Sequence, residues 1–362
     1  MLTWIGIGHW VAYQEGWIST YSCLAHGLVQ IQGFLLAFAL GFLLTALPRR
    51  TQSAPTSGRA IVGAAVALAG STAAAFLDRW WIAEALTVAI VAGIVAFALR
   101  RFVAGSAGRR PPAAFVLLPM GLACAVAGAV LVGSNTVVDG RSTLVAGRLL
   151  LEQGVFLCLV MGAGSLVLPL MSGAAPPPDL GTSPAITRRA VAYGAAGLIV
   201  VATLLWEAAG SSRLAPVVRG LVVAATIVSG AGLLTPLELP GWNRHLARLA
   251  AWLVPLGIVL SGLIPDYRVP ALHVTFIGGF GLLAFSVATH VTASHLDIPR
   301  IRDGRSWVVA LTAGAILVAM AGRVTADSTQ TYFEHLAAAG AVWIAGTAIW
   351  LAVLGPRWFR GE

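Results

Sequence analysis

The sequence predicts an all-α fold, a polytopic transmembrane helical bundle of about 11 spans. Three features predict it: too few charges for a water-facing surface, a succession of apolar runs of membrane-crossing length, and arginines gathered in alternate connecting segments. Of the 362 residues, 58% are hydrophobic and 10% are charged, whereas a soluble domain carries about 25% charged residues. A span takes about 20 mostly apolar residues, because the hydrocarbon core is about 30 Å thick and a helix rises about 1.5 Å per residue. Such runs use nearly the whole length, so residues 1–362 read as a single transmembrane domain with no soluble domain inside it.

Residues 1–26 read as an outer N-terminal arm, or as the remnant of a lost first span. They contain no basic n-region and no clean apolar stretch before Gly27, so they do not read as a secretory signal peptide. Apolar runs then fall at Leu28–Leu47, Ala60–Leu77, Ile82–Leu99, Ala113–Gly133, Leu149–Met171 and Ala190–Ala209. Five more follow at Leu214–Leu234, Leu246–Ile264, Pro270–Val291, Trp307–Gly322 and Phe333–Leu354. Breakers separate them: Pro48-Arg49-Arg50, Gly108-Arg109-Arg110-Pro111-Pro112, the Pro-rich stretch 175–178 and Leu239-Pro240-Gly241. Trp80–Ala83 fits an interfacial belt. The spans are rich in Gly and Ala, which lets helices approach closely in lipid. No internal sequence repeat is strong enough to claim.

All 23 basic residues are arginine. Seven of them, Arg79, Arg141, Arg148, Arg213, Arg219, Arg268 and Arg323, fall on one side of the alternating spans, and the other sixteen fall on the opposite side. The positive-inside rule then places the arginine-rich loops and the C-terminus in the cytoplasm. A net charge of +9 would suit nucleic acid only if it were clustered on a folded soluble face. Here the charges sit between apolar runs, so the expected partner is a lipid bilayer and not a nucleic acid.

Cys23, Cys124 and Cys158 form no C-x-x-C pair and no even set, which does not support a disulfide framework. The seven histidines are more informative. His26, His273 and His335 enter spans at the outer edge; His290 leaves a span on the inner side with His295 just beyond it. His245 precedes a span, and His9 lies in the N-terminal arm. Neutral imidazole ligates haem iron and copper, and helix ends that converge in a bundle can build such a site. The plainer alternative is a half-solvated interfacial histidine.

Gln30 lies one turn after His26 and is placed to orient its ring. Arg148 and Glu152 are spaced i, i+4 and can pair; Arg148, like Arg323 near the depth of His335, is also a candidate for a haem propionate. Glu84 and Glu207 lie about one turn inside the outer edge, where snorkelling competes with a role in proton movement. Met120 with Cys124 and Cys158 with Met161 are soft-ligand pairs that suit Cu(I), or simply apolar packing. Gly278-Gly279-Phe280-Gly281 lacks the Lys-Ser/Thr of a phosphate loop and reads as a close helix contact.

These residues also resemble a known family. His26-Gly-Leu-Val-Gln-Ile-Gln-Gly33, followed by Gly41-Phe-Leu-Leu-Thr-Ala-Leu-Pro48, looks like the opening of the NnrS family. Ala271-Leu-His273, Gly278-Gly279 and His295 look like its late helix, and Gly154 to Gly164 followed by Pro169 looks like its middle signature. The resemblance implies a bacterial inner-membrane protein of about twelve spans in the family, holding haem and copper and linked to nitric oxide stress. Carried over by position, it makes His26, His273 and His295 the best metal candidates, with His290 beside them. Departures exist: Leu28 and Val29 stand where a second entry histidine and a glutamate are expected, Leu166 replaces an arginine, and His290 stands where the family tends to have arginine. A transporter or channel with a polar seam of Gln30, Gln32, Glu152 and the histidines is the alternative from another class. A haem-copper oxidase-like subunit is a third, lacking the mid-membrane histidine cluster. Whether the chain is an enzyme, and which redox partner it meets, the sequence leaves open.

Overall fold

The structure, a computed structural model, describes residues 2–104, 110–138, 141–237 and 239–360. The Gly108-Arg109 part of one sequence breaker lies outside the described residues. Twelve helices follow one another: α1 (Leu2–Gln14), α2 (Cys23–Thr51), α3 (Gly58–Phe76), α4 (Trp80–Ala104), α5 (Ala113–Ser134) and α6 (Thr143–Met171). After these come α7 (Pro184–Ala208), α8 (Leu214–Ala231), α9 (Trp242–Leu263), α10 (Pro265–His295), α11 (Trp307–Ala326) and α12 (Tyr332–Arg360). Eleven of the described helices, α2 to α12, are long and apolar enough to cross a membrane, as the sequence predicts in number and order. A two-residue antiparallel ladder pairs Val137–Val138 with Arg141–Ser142, and an isolated bridge joins Pro112 to Asp179.

Serines open several helices. Ser22, Ser57, Ser142 and Ser183 each accept a backbone N–H of the first turn, satisfying a donor that has no helical partner. Several helices outrun their apolar runs. Pro48 does not end α2, which continues to Thr51 and stops at the left-handed Gln52. Likewise α10 reaches back to Pro265 and forward to His295, so His295 closes the helix where the sequence placed it beyond the span. The first and last turns of a span sit at headgroup level, where water tolerates His and Arg, so hydropathy alone underestimates helix length.

Large apolar side chains such as Val66, Leu198, Leu221 and Val318 remain exposed along these helices. An apolar surface of that extent is stable only against lipid.

By contact, the described helices gather into two compact units. One holds the described residues of 1–6, 22–163 and 177–210, the other those of 7–21, 164–176 and 211–362. In the first, Leu28, Val132 and Leu151 form one fully buried cluster and Val29, Ala74, Ala75 and Ala83 another. In the second, Val254, Ile258, Leu282 and Ile316 are buried, and Trp350 donates its indole N–H to Thr289 at 2.8 Å.

Three spans contain a π-helical segment: Val29–Leu35 in α2, Leu150–Gly154 in α6 and Val274–Gly281 in α10. Each is the second helix of a successive group of four. Their sequences share an alanine eight residues before a glycine, at Ala25 and Gly33, Ala146 and Gly154, Ala271 and Gly279. A polar residue follows that alanine by one or two positions: His26, Arg148 and His273. The π segments thus recur at every fourth helix, each beside a polar residue and an Ala–Gly pair eight positions apart. π turns are rare and concentrate at functional sites. The Gly278–Gly281 run falls inside one of them; a Cβ on Gly279 would lie 2.8 Å from Val254 Cγ2, confirming a close helix contact.

Polar anchoring also fixes the arginine-rich end of the second unit. Arg244 is 4% exposed. Its guanidinium donates to the carbonyls of Met171 and Pro240 and, at 2.6 Å, to Asp303. Replacing it by methionine leaves the Met171 and Pro240 carbonyls without this donor, while Asp303 keeps Arg302 at 2.8 Å, and each unsatisfied buried group costs about 1–3 kcal/mol. Arg244→Met is therefore expected to lose about 3 kcal/mol of stability, read as an earlier thermal transition in detergent. An unchanged transition would show that the clasp is not structural.

Candidate functional site

The predicted site residues collect at helix ends, and each unit carries its own set. In the first unit, His26 sits in the first turn of α2, half-buried. Its Nδ1 lies 2.8 Å from the carbonyl of Gly6 on α1. A carbonyl only accepts, so in the neutral ring Nδ1 carries the hydrogen and Nε2 is the nitrogen with the lone pair. This orientation does not come from Gln30, as the sequence suggests. Gln30 instead grips α1: its Oε1 accepts from Thr3 Oγ1 at 2.7 Å and its Nε2 donates to the Thr3 carbonyl at 3.0 Å. Residues 2–14 therefore form a helix whose first turns brace the histidine.

Arg148 and Glu152 pair at 2.9 Å along α6, as their spacing predicts. The pair adjoins the histidine's neighbour: a Cβ on Gly27 would meet Glu152 Oε1 at 2.9 Å and Arg148 Nη2 at 3.8 Å. An imidazole, a guanidinium and a carboxylate are thus gathered at one end of this unit.

In the second unit, His273 on α10 places Nδ1 2.8 Å from the Val269 carbonyl. His335, at the start of α12, has its Nδ1 at 3.1 Å from the Thr331 carbonyl, with the Thr331 and Thr329 hydroxyls at 3.1 and 3.3 Å. Arg323 pairs with Asp327 at 2.5 Å and lies over the Tyr332 ring, 5.7 Å from its centroid. The ring thereby links the arginine to the helix that carries His335. At the opposite end of α10, His295 is exposed, with Nδ1 2.8 Å from the Val291 carbonyl. The buried Nδ1 of His290 has no hydrogen-bond partner among the described residues, and the ring lies within electrostatic reach of Arg244, Arg302 and Asp303. Two neighbouring guanidiniums disfavour a bound cation there.

His26, His273, His335 and His295 therefore share one feature, an Nδ1 held by a carbonyl, which is the arrangement that orients metal-ligating histidines. Among the described residues, no three His, Cys, Asp or Glu side chains come together as a group able to hold a metal ion. The residues expected to form a transporter's polar seam are engaged in pairs. Gln30 is bonded to Thr3, Gln32 to Glu84 and Glu152 to Arg148.

Some contacts have no local sequence signal. Glu84 and Glu207 do not snorkel; they are 3% and 8% exposed, and Glu84 Oε2 accepts from Gln32 Nε2 at 2.7 Å across 52 positions. Cys124 and Cys158, which the sequence treats as separate, are both buried where α5 packs on α6, a Cβ on Gly154 falling 3.1 Å from Cys124 Sγ and one on Gly121 3.1 Å from Cys158 Cβ. The Arg244 clasp was likewise unmarked. In each case the partner sits on another helix, beyond the reach of helical spacing.

A family model described as NnrS protein matches residues 1–360 of the chain. No curated protein matches the chain, and no solved structure does.

The brace on His26 can be tested by crowding α1. A Cβ on Gly6 would fall 2.4 Å from Gln30 Nε2 and 3.2 Å from Val29 Cγ1, so Gly6→Val displaces the Gln30 amide from Thr3. Overpacking of this kind costs about 1–3 kcal/mol. Amide hydrogen exchange in residues 2–14 is expected to accelerate in the variant. Exchange equal to that of the unmodified protein would mean that α1 does not depend on this contact.

Proposed function

The chain belongs to the NnrS family of membrane proteins linked to the nitric oxide response, and on that premise we propose that it binds haem through histidines at its span ends. The observation that carries this reading is the bond from Nδ1 to a carbonyl at His26 and His273, each one to three residues before a π-helical segment. Such a bond fixes the tautomer with the hydrogen on Nδ1 and raises the basicity of Nε2 as a ligand. His335, held by Thr331, is a third candidate of the same kind.

Haem iron held by an imidazole offers a coordination position to a diatomic such as nitric oxide. The chain supplies the imidazoles, the apolar helix walls that keep water away, and one arginine near each histidine set. Arg148 and Arg323 are the proposed propionate partners, though each already neutralises a carboxylate four residues on. A propionate would therefore share its guanidinium with Glu152 or Asp327. His290 and His295 lie at the other end of α10 and support this reading less. Copper would need several ligands together, and the described residues supply no group of three, so copper is not part of the proposal.

The arginine distribution supports an orientation with the arginine-rich loops and the C-terminus in the cytoplasm, and the family supports a bacterial inner membrane. His26, His273 and His335 would then face the periplasmic side. A redox partner would be met from there or through the lipid.

Purification in detergent followed by a visible spectrum, a pyridine haemochrome assay and elemental iron tests the haem reading. A Soret band is expected in the wild type, with lower haem content in His26→Ala and in His273→Ala. Deleting residues 2–14 removes the Gly6 carbonyl but not His26, and loss of such an orienting partner lowers affinity by about 10–100-fold. No Soret band together with no iron overturns the proposal, and so does wild-type haem content in both alanine variants.

A further inference from the structure

We propose that Glu84 is an intramembrane proton-binding site, a carboxyl that carries an exchangeable proton at a depth where lipid surrounds the bundle. The inference goes beyond the haem reading and does not rest on it. Glu84 lies in the second turn of α4 and is 3% exposed. Its Oε2 accepts one hydrogen bond, from Gln32 Nε2 at 2.7 Å, and its Oε1 is buried with no hydrogen-bond partner among the described residues. Gln32 belongs to the π-helical segment of α2 and is itself 7% exposed.

The hydrogen-bond count decides the chemical form. A carboxylate presents about four acceptor sites and, when buried, needs a cation or several donors to offset lost hydration. Glu84 has one donor and no ion pair among the described residues. A neutral carboxylic acid needs much less: its carbonyl oxygen takes the amide hydrogen, and its hydroxyl carries the proton. The supply of one amide donor on Oε2 and none on Oε1 fits that form.

The surroundings do not neutralise the carboxyl. Gly133 on α5 packs beside it, a Cβ there lying in ordinary contact at 3.4 Å from Glu84 Cβ. Two hydroxyls of this region are turned elsewhere: Ser71 and Thr87 both donate to the Ala83 carbonyl, at 3.0 and 3.1 Å. Gln32 and Thr87 are the polar side chains lining a small cavity in this unit, whose other walls, including Ile31, Val91 and Phe156, are apolar. Ionisable groups retained inside a membrane at this cost mark proton or ion handling. A reversible carboxyl here accepts a proton and yields it again with no other bond made or broken.

Infrared difference spectroscopy of the full chain in lipid, at neutral pH and in ordinary and heavy water, tests the site. A protonated-carboxyl carbonyl band is expected that moves to lower wavenumber in heavy water and is lost in Glu84→Gln. In Gln32→Leu the same band is expected at higher wavenumber, because its carbonyl loses the amide donor. The second variant keeps the carboxyl, so it remains decisive if Glu84→Gln does not fold. A spectrum with carboxylate bands alone overturns the proposal, as does a carbonyl band that Gln32→Leu leaves in place. Neither outcome bears on the Soret band, so the two readings fail separately.

Discussion

Inside a bilayer a polar group has no water to turn to, and that constraint organises this molecule. The backbone meets it by forming helices, each closing its own hydrogen bonds. Many side chains meet it locally. Thr203 and Thr226 return their hydroxyls to the carbonyl four residues earlier, so a hydroxyl in a span can be satisfied within its own helix. The informative groups are those that cannot be satisfied in this way. Gln30, Gln32, Arg244 and the ring of His26 each reach to another segment, and they mark where helices are fastened or where chemistry is supported.

The π turns belong to the same logic. Widening the helix by one residue per turn sacrifices regular bonding for a change in the direction of the side chains ahead of it. It appears in α2, α6 and α10 and, among the described residues, in no other span. Ahead of it stand His26, Arg148 and His273. A helix that only had to cross lipid would gain nothing from this, whereas one that must aim a polar residue at its end does. The middle segment carries an arginine paired with Glu152 where the other two carry imidazoles, so one architectural device serves two kinds of polar group.

Much of the fold was legible in the sequence because hydropathy and arginine placement act over whole segments. Eleven spans and their order follow from apolar runs alone, and the i, i+4 pairing of Arg148 with Glu152 follows from helical geometry. What escaped depends on contacts between segments. Nothing in residues 23–51 announces that Gln30 will bind Thr3, or that Gly6 will present its carbonyl to His26. Snorkelling was the natural expectation for Glu84, since glutamate near a span end usually reaches water. The amide of Gln32, brought alongside in the structure, is what holds it inside. The π turns escaped for a different reason: each inserts a single residue of register, which a 20-residue hydropathy window averages away.

The ion pairs at the helix ends constrain whatever binds beside them. Arg148 is engaged by Glu152, and the same Glu152 oxygen stands 2.9 Å from where a Cβ on Gly27 would be. An anion that takes Arg148 must either share the guanidinium, which has five donors, or move Glu152. Glu152 cannot move toward α2 while Gly27 remains so close, and a side chain at position 27 would already have forced it away. The glycine after His26 therefore does more than let two helices approach. It keeps the carboxylate and guanidinium in register beside the residue that follows the imidazole. Among the described residues of the second unit, the connection of Arg323 toward His335 runs through the face of Tyr332, a weaker and less directional contact. The two histidine-bearing ends are thus similar in composition but not in coupling, and the first is the more tightly constrained.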